Sequence, residues 1–188
     1  MCGVSEQPGR YQRSAAGMVG AMLVVVALIF AFVVFRAFNR NDASIEPEKV
    51  DYLQTVRGLQ SGGAPAVAYP PTLPDGWIAT GASFDAAGVW GLSLLTDDDH
   101  FVGVRQGQAG QSVDDLVKKY VDDAADEGDP VRLDSPLAGT WRSFTDSGGD
   151  YALAADVDGS VVLVVGSAPE DQIQDLTASL TTDPVPSR

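Results

Sequence analysis

The hydrophobic pattern separates one uninterrupted apolar stretch near the N-terminus from a long segment in which apolar and polar positions alternate. Residues 15–35 form a stretch of 21 residues without a charge or a proline. As an α-helix rising about 1.5 Å per residue, this stretch would reach about 30 Å, the thickness of a bilayer's hydrocarbon core. A cleaved signal peptide has a shorter apolar region that ends in small residues, whereas this one ends in Phe35 followed by Arg36. The pattern therefore predicts an uncleaved transmembrane helix at 15–35 that contacts the lipid bilayer.

The charges beside this helix predict a single-pass protein of the cell membrane with its N-terminus in the cytoplasm. Two arginines precede the helix and two follow it, so the nearby basic residues do not decide the orientation. The cytoplasmic tail at 1–14 is short and positively charged, whereas the chain turns acidic at Asp42. We therefore expect the C-terminal part to be extracytoplasmic. Small residues four positions apart, such as Gly17 and Ala21, would also let two membrane helices pack closely as a homodimer.

The segment after the membrane helix predicts a stalk, a folded domain and a tail. The stalk is expected at 36–68 and contains a short helix at 47–59, because Pro47 suits a first helical turn and the apolar spacing is helical. Glycines and a proline at 61–65 end this helix. The extracytoplasmic domain is expected at 69–182, followed by a flexible, proline-containing tail at 183–188.

The first half of the domain predicts three strands and a helix. The strands are read from period-two alternation bounded by turn residues, at 78–84, 89–95 and 101–106. Ser112, with Asp115 three residues on, is typical of a helix N-cap. An apolar stripe then runs from 113 to 124, and Gly128 and Pro130 end the helix.

The second half repeats this plan. Strands are predicted at 140–145, 151–157 and 161–165, and a last helix begins at Pro169. Asp158-Gly159 indicates a tight hairpin turn. The strand at 161–165 is apolar on both faces, which predicts a central position in the sheet.

These elements together predict an α+β domain. A twisted antiparallel sheet would be packed by amphipathic helices, and the repeated strand-hairpin-helix order is consistent with an internal duplication. A closed barrel is less favoured, because two amphipathic helices need a sheet face to cover.

Composition excludes several classes of function. Acidic residues outnumber basic residues by 26 to 12, for a formal net charge of −14. Proteins that bind nucleic acid need a basic surface, so we expect no nucleic-acid partner. The chain has one cysteine and one histidine, which excludes an intramolecular disulfide and a Cys/His zinc cluster. We expect no cofactor and no metal site.

Candidate chemistry is sparse. Asp97, Asp98, Asp99 and His100 form the one carboxylate–imidazole cluster, and we interpret it as a solvated hairpin turn in preference to a weak cation site, since consecutive side chains point different ways. The acidic clusters at 122–129 and 156–159 have the same interpretation. No Gly-x-Ser-x-Gly elbow or glycine-rich phosphate loop occurs. We therefore predict that the protein is not an enzyme and assign no catalytic residues.

Aromatic side chains offer a second candidate site. They occupy strand entrances and inward positions, which is typical of a core, although a sugar-stacking groove is the alternative. The residues concerned are Tyr69, Trp77, Trp90, Trp141 and Tyr151.

Short motifs along the chain resemble one known family. They are Arg-Tyr-Gln-Arg-Ser-Ala-Ala-Gly-Met-Val at 10–19, Val-Asp-Tyr at 50–52, Leu-Pro-Asp-Gly-Trp at 73–77, Gly-Val-Arg-Gln at 103–106 and Gly-Thr-Trp at 139–141. In this order they resemble the actinobacterial domain-of-unknown-function family number 4245. The resemblance implies a single-pass, membrane-anchored envelope protein and brings no activity, ligand or catalytic residue.

The sequence thus leaves three functional hypotheses. The first is a non-catalytic interaction or scaffold module of the bacterial cell envelope, with another envelope protein as its partner. The alternative is a domain that binds a small envelope ligand, either a glycan or a divalent cation. A carboxylate-dependent hydrolase is the third, because glycan hydrolysis needs only two suitably separated carboxylates.

Overall fold

A computed structural model describes residues 15–38 and 47–186, and the chain divides between residues 46 and 47 into two compact units. The first unit contains helix α1, Ala15–Phe38. Within the described part of the chain, α1 is the one helix long and apolar enough to cross a membrane, over Met18–Phe35. Its large apolar side chains are exposed, with Met18 at 76% and Phe30 at 70%. The predicted N-terminal apolar helix is therefore confirmed.

The second unit is an α+β domain built on one open antiparallel sheet. The sheet has eight strands, in the order β1-β2-β3-β8-β7-β6-β4, and β5 also pairs with β6. The strands are β1 Ile78–Phe84, β2 Trp90–Leu95, β3 Phe101–Gln106, β4 Asp126–Glu127, β5 Val131–Arg132, β6 Thr140–Thr145, β7 Tyr151–Val157 and β8 Ser160–Gly166. The helices are α2 Tyr52–Ser61, α3 Val113–Tyr120 and α4 Glu170–Ser179. The predicted fold class is thus confirmed.

The longer strands follow the predicted pattern closely. In β2 the alternate residues Trp90, Leu92 and Leu94 have no exposed surface, as period-two alternation requires. Strand β8 pairs with β3 on one side and β7 on the other, which confirms its central position. The β7–β8 turn has positive φ at Asp158 (50°) and Gly159 (83°), the backbone of a tight two-residue hairpin.

The helices cover the two faces of the sheet unequally. Helices α2 and α4 pack on the face that carries Trp90 and Leu92, here called the α2/α4 face, and bury most of the core there. Helix α3 packs on the opposite face, here called the α3 face, against β7 and β8. The β1–β3 half of the α3 face has no helix over it among the described residues.

Two helices differ in length from the prediction. Helix α3 ends at Tyr120 although the apolar stripe continues to 124, since Val121 leaves helical geometry (φ −111°, ψ −84°). The Asp122 carboxylate then accepts the backbone N–H of Ala124 at 2.9 Å, a local hydrogen bond that competes with the helix. The residues that follow α3 instead add β4 and β5 along the edge of β6, with β4 lying before the predicted helix end at Gly128 and β5 after it.

Helix α2 begins later than the predicted start at Pro47. The Asp51 carboxylate accepts the N–H of Gln54 at 3.1 Å and caps the helix. The second compact unit begins at residue 47, and Tyr52 and Val56 of α2 are buried in the core. Most of the segment expected as a stalk is therefore packed into the domain.

The chain end is held to the same part of the domain. The backbone of Thr181 bridges to Tyr69, and Tyr69 Oη donates to the Asp183 carbonyl at 2.8 Å. The Val185 N–H donates to Gln60 Oε1 at 3.0 Å. These contacts hold residues 181–185 against Gln60 of α2 and against Tyr69, which precedes β1.

Candidate functional site

A cavity of the domain opens at one end of the sheet, and we call it the end pocket. It has a volume of about 470 Å³. Strand β1 ends there, β3 ends there and β8 begins there, so side chains remote in sequence meet. The lining includes Val67, Phe84, Gln106, Gln108, Asp158 and Ser160.

The buried Gln106 amide builds the inner wall of the end pocket. Its Oε1 accepts the Ala68 N–H at 2.7 Å, and its Nε2 donates to the Ala66 carbonyl and to Ser160 Oγ, both at 3.0 Å. These bonds fasten the segment at 66–68 across the end of β3 and β8. Both Nε2 hydrogens of Gln106 are thus engaged by the protein itself and are not available to a ligand. The inner surface that a ligand would contact is therefore mainly apolar.

The rim of the end pocket is held together by the Gln108 side chain, which packs against the backbone at Ala87 and Gly88. The Gln108 side-chain amide donates to the Ala87 carbonyl and lies where a Cβ on Gly88 would be, 2.5 Å from Nε2. Gly88 also has φ +72°, a conformation that favours glycine. Gly107 lies directly against α3, since a Cβ at this position would come within 2.9 Å of Leu116 Cδ1. The rim residue Gly107 is therefore in direct contact with the buried side of α3.

The Asp97–His100 cluster lies at the tip of the β2–β3 hairpin, at the opposite end of β3 from Gln106 and the end pocket. Asp97, Asp98 and Asp99 are exposed, and Asp99 has φ 62°. The turn is closed by His100 N–H donating to Thr96 Oγ1 at 3.0 Å. Within residues 15–38 and 47–186, no three His, Cys, Asp or Glu side chains are placed to hold a metal ion.

The aromatic candidates for a sugar groove are core residues. Relative exposures are 0% for Trp90 and Trp141 and 8% or less for the other three, Tyr69, Trp77 and Tyr151. Both fully buried indoles are satisfied, since Trp90 Nε1 donates to the Ala68 carbonyl and Trp141 Nε1 to the Ala138 carbonyl, each at 2.8 Å. The core interpretation holds, because all five side chains are buried, and Trp90 also lies against the inner end of the end pocket.

The domain's ion pairs are structural. Arg142 on β6 binds Glu127 of β4 through Nε at 2.7 Å and Nη2 at 2.9 Å, and binds Asp114 of α3 through Nη1 at 3.0 Å. Hydrogen bonding to Arg142 lowers the pKa of Glu127. Hydrogen bonds from Ser112 lower the pKa of Asp115. Both shifts favour the charged form, whereas a general acid needs a raised pKa.

The end pocket was not predicted from the sequence. Its lining comes from five separate segments, and no motif links them. One signal was present: Gln106 follows Val102 and Val104 at an inward position of β3. A buried polar side chain on the inward face of a strand needs hydrogen-bond partners. Gln106 therefore marks a place where β3 meets another segment of the chain.

Comparison with known proteins adds a family and no activity. The family model described as "Protein of unknown function (DUF4245)" matches residues 10–180. Searches of the curated proteins and of the solved structures found no match.

Proposed function

Because the chain belongs to the DUF4245 family, whose description assigns no activity, we propose a function from the geometry alone. The protein is a membrane-anchored, non-catalytic binding module of the cell envelope, and its end pocket holds a small, largely apolar ligand. The observation that carries this proposal is the end pocket itself, with a volume of about 470 Å³. Small-molecule sites are typically clefts of roughly 300–1,000 Å³ with apolar walls and a few placed polar groups.

The lining suggests what kind of ligand fits. Val67 and Phe84 supply apolar wall, and Gln106 is engaged with the protein's own backbone. Gln108 and Asp158 are exposed at the rim. A fitting ligand would place an apolar body against Val67 and Phe84 and one hydrogen-bonding group near Gln108 and Asp158. These features support the small-ligand hypothesis over a scaffold that recognises only protein.

The anchor and its orientation are part of the proposal. Helix α1 has the length and composition to cross a bilayer, and Arg10 and Arg13 precede it whereas an acidic domain follows it. We propose that the domain lies outside the cytoplasmic membrane, in agreement with the preference of basic flanking segments for the inside. The acidic surface would also keep the domain away from anionic lipid headgroups.

A dye-binding assay tests the pocket. A fragment of residues 47–188 is titrated with Nile red, a neutral apolar fluorophore, and saturable enhancement of emission is expected. Ala109 lines the end pocket, so Ala109→Trp should fill it and abolish saturable binding. Ala124→Trp is the matched control, because Ala124 is also exposed but lies after α3, away from the pocket. Equal binding by both variants, or no saturable binding by the wild type, would contradict the proposal.

A further inference from the structure

A second concave site lies on the uncovered part of the α3 face, and we call it the Arg105 hollow. It has a volume of about 240 Å³. Its floor is formed by neighbouring positions of β1 and β2 with little or no side chain, Gly81, Ser83, Gly91 and Ser93. Arg105 of β3 projects over this floor. Because Gln106 faces the opposite side of β3, the Arg105 hollow is separate from the end pocket.

The Arg105 side chain lies over Gly91 and Gly103 of the sheet, at ordinary van der Waals distance from the Cβ position of each. A Cβ on Gly91 would lie 3.4 Å from Arg105 Nη1, and one on Gly103 would lie 3.5 Å from Cζ. On its other side the guanidinium faces the ring of Tyr120, with 5.7 Å between Cζ and the ring centroid. The guanidinium is thus held in place, half-buried, between the sheet and the end of α3.

Only part of the guanidinium is used by the protein. Nη1 donates to the carbonyls of Leu92 at 2.8 Å and Val104 at 3.0 Å, and Nη2 makes a long contact of 3.4 Å to Ser93 Oγ. Nε–H has no acceptor among the described residues. No described carboxylate forms an ion pair with Arg105, although the domain is strongly acidic.

The unused donor is not fully buried. In the described part of the chain, the one buried side-chain polar atom without a hydrogen-bond partner is Gln172 Oε1. Nε of Arg105 is therefore accessible. Burial lowers the pKa of the Arg105 guanidinium, and an anion supplied from outside would offset that cost.

Arg142 shows what the Nε and Nη2 edge of a guanidinium binds in this same domain. Arg142 uses these two atoms to hold the two oxygens of one carboxylate, at 2.7 and 2.9 Å. This paired arrangement matches the two oxygens of a carboxylate or a phosphate, and in this domain the group that it holds is a carboxylate. We propose that the Arg105 hollow is a binding site for a carboxylate group, which pairs with Nε and Nη2 of Arg105 while Nη1 keeps its bonds to the sheet.

Two other charged groups flank the site. Asp85 lines the hollow, where its Oδ1 accepts the Val89 N–H at 2.8 Å. Lys119 lies outside it, with Nζ 4.9 Å from the centroid of the Tyr120 ring. Asp85 would repel an incoming carboxylate and Lys119 would attract it. The hollow is small, so it accommodates the carboxylate end of a ligand and its first few atoms.

The full chain in nonionic detergent micelles is titrated with N-acetylalanine and followed by the NMR signal of the Ser93 backbone amide. A saturable shift is expected with N-acetylalanine. None is expected with N-acetylalanine amide, which lacks the charge, and inorganic phosphate should bind more weakly. An equal response to the amide, tighter binding of phosphate, or no saturable response to N-acetylalanine would each overturn the proposal.

Variants assign the binding to the guanidinium. Arg105→Lys keeps the charge but loses the paired donors, and should weaken binding about tenfold. Arg132→Lys, at an exposed position of β5, should leave binding unchanged. Asp85→Asn keeps an acceptor for Val89 and removes the repulsion, so it should tighten binding about threefold. Unchanged binding by Arg105→Lys, or weaker binding by Asp85→Asn, would overturn the assignment. The outcome is independent of Nile red binding in the end pocket.

Discussion

Leu116 is the residue through which α3 closes the core on its face of the sheet. It is 1% exposed and packs with Val113 and Val117 against buried residues of β6, β7 and β8. Truncating a buried leucine to alanine costs about 2–5 kcal/mol of unfolding free energy. Because α3 has only eight residues, it can settle partly into the space, and we expect about 3 kcal/mol for Leu116→Ala.

Urea unfolding of residues 47–188 measures this cost. All three tryptophans of the chain lie in this segment and are buried, so their fluorescence reports its unfolding. With a denaturant dependence of about 1.5 kcal/mol per molar, the midpoint should fall by about 2 M. Lys118→Ala, exposed on the same helix, should move the midpoint little. Leu116→Asp should leave the domain unfolded, because it buries an unpaired charge. A midpoint change for Leu116→Ala no larger than that of the control would refute the assigned packing.

Three further predictions concern single contacts. Gln106→Leu leaves the Ala68 N–H without its acceptor and should lower the unfolding free energy by about 1–3 kcal/mol in urea titrations; an unchanged midpoint would contradict this. Gly159→Ala places a Cβ at φ 83° and should cost about 1 kcal/mol by thermal melting, whereas Gly139→Ala, with open space around it, should cost less. Burial raises the pKa of Tyr52 to about 12 from 10.0, so its contribution to stability is full below pH 10 and is lost as pH rises towards 12. In urea titrations between pH 10 and 12, Tyr52→Phe should reduce the fall of the unfolding free energy with pH. An unaltered slope would argue against a raised pKa at Tyr52.

The strands could be predicted because their signals are local. Alternation in β2 and the Asp158-Gly159 turn each specify a backbone geometry within a few residues. The N-cap of α3 was also predicted correctly, since Ser112 and Asp115 form a capping box with hydrogen bonds in both directions. Such patterns depend on the chain's own neighbours and so survive in the folded domain.

The errors arise where distant segments decide the structure. The apolar spacing of Val121 and Ala124 favours a longer α3, but β6 offers backbone partners to the residues that follow. Strands β4 and β5 have two residues each, too few for a readable pattern. The end pocket and the Arg105 hollow depend on which strands become neighbours, and the β3–β8 pairing that joins the two halves has no local signal.

Thiol labelling of intact cells tests the central claim, a domain held outside the membrane by α1, most directly. Lys118→Cys, exposed on α3, is introduced in a Cys2→Ser background, which removes the only native cysteine. Treatment with a membrane-impermeant maleimide should label the protein before lysis, and the labelled chain should remain in the membrane fraction after a carbonate wash. Labelling only after lysis, or recovery of the chain in the soluble fraction, would contradict the account.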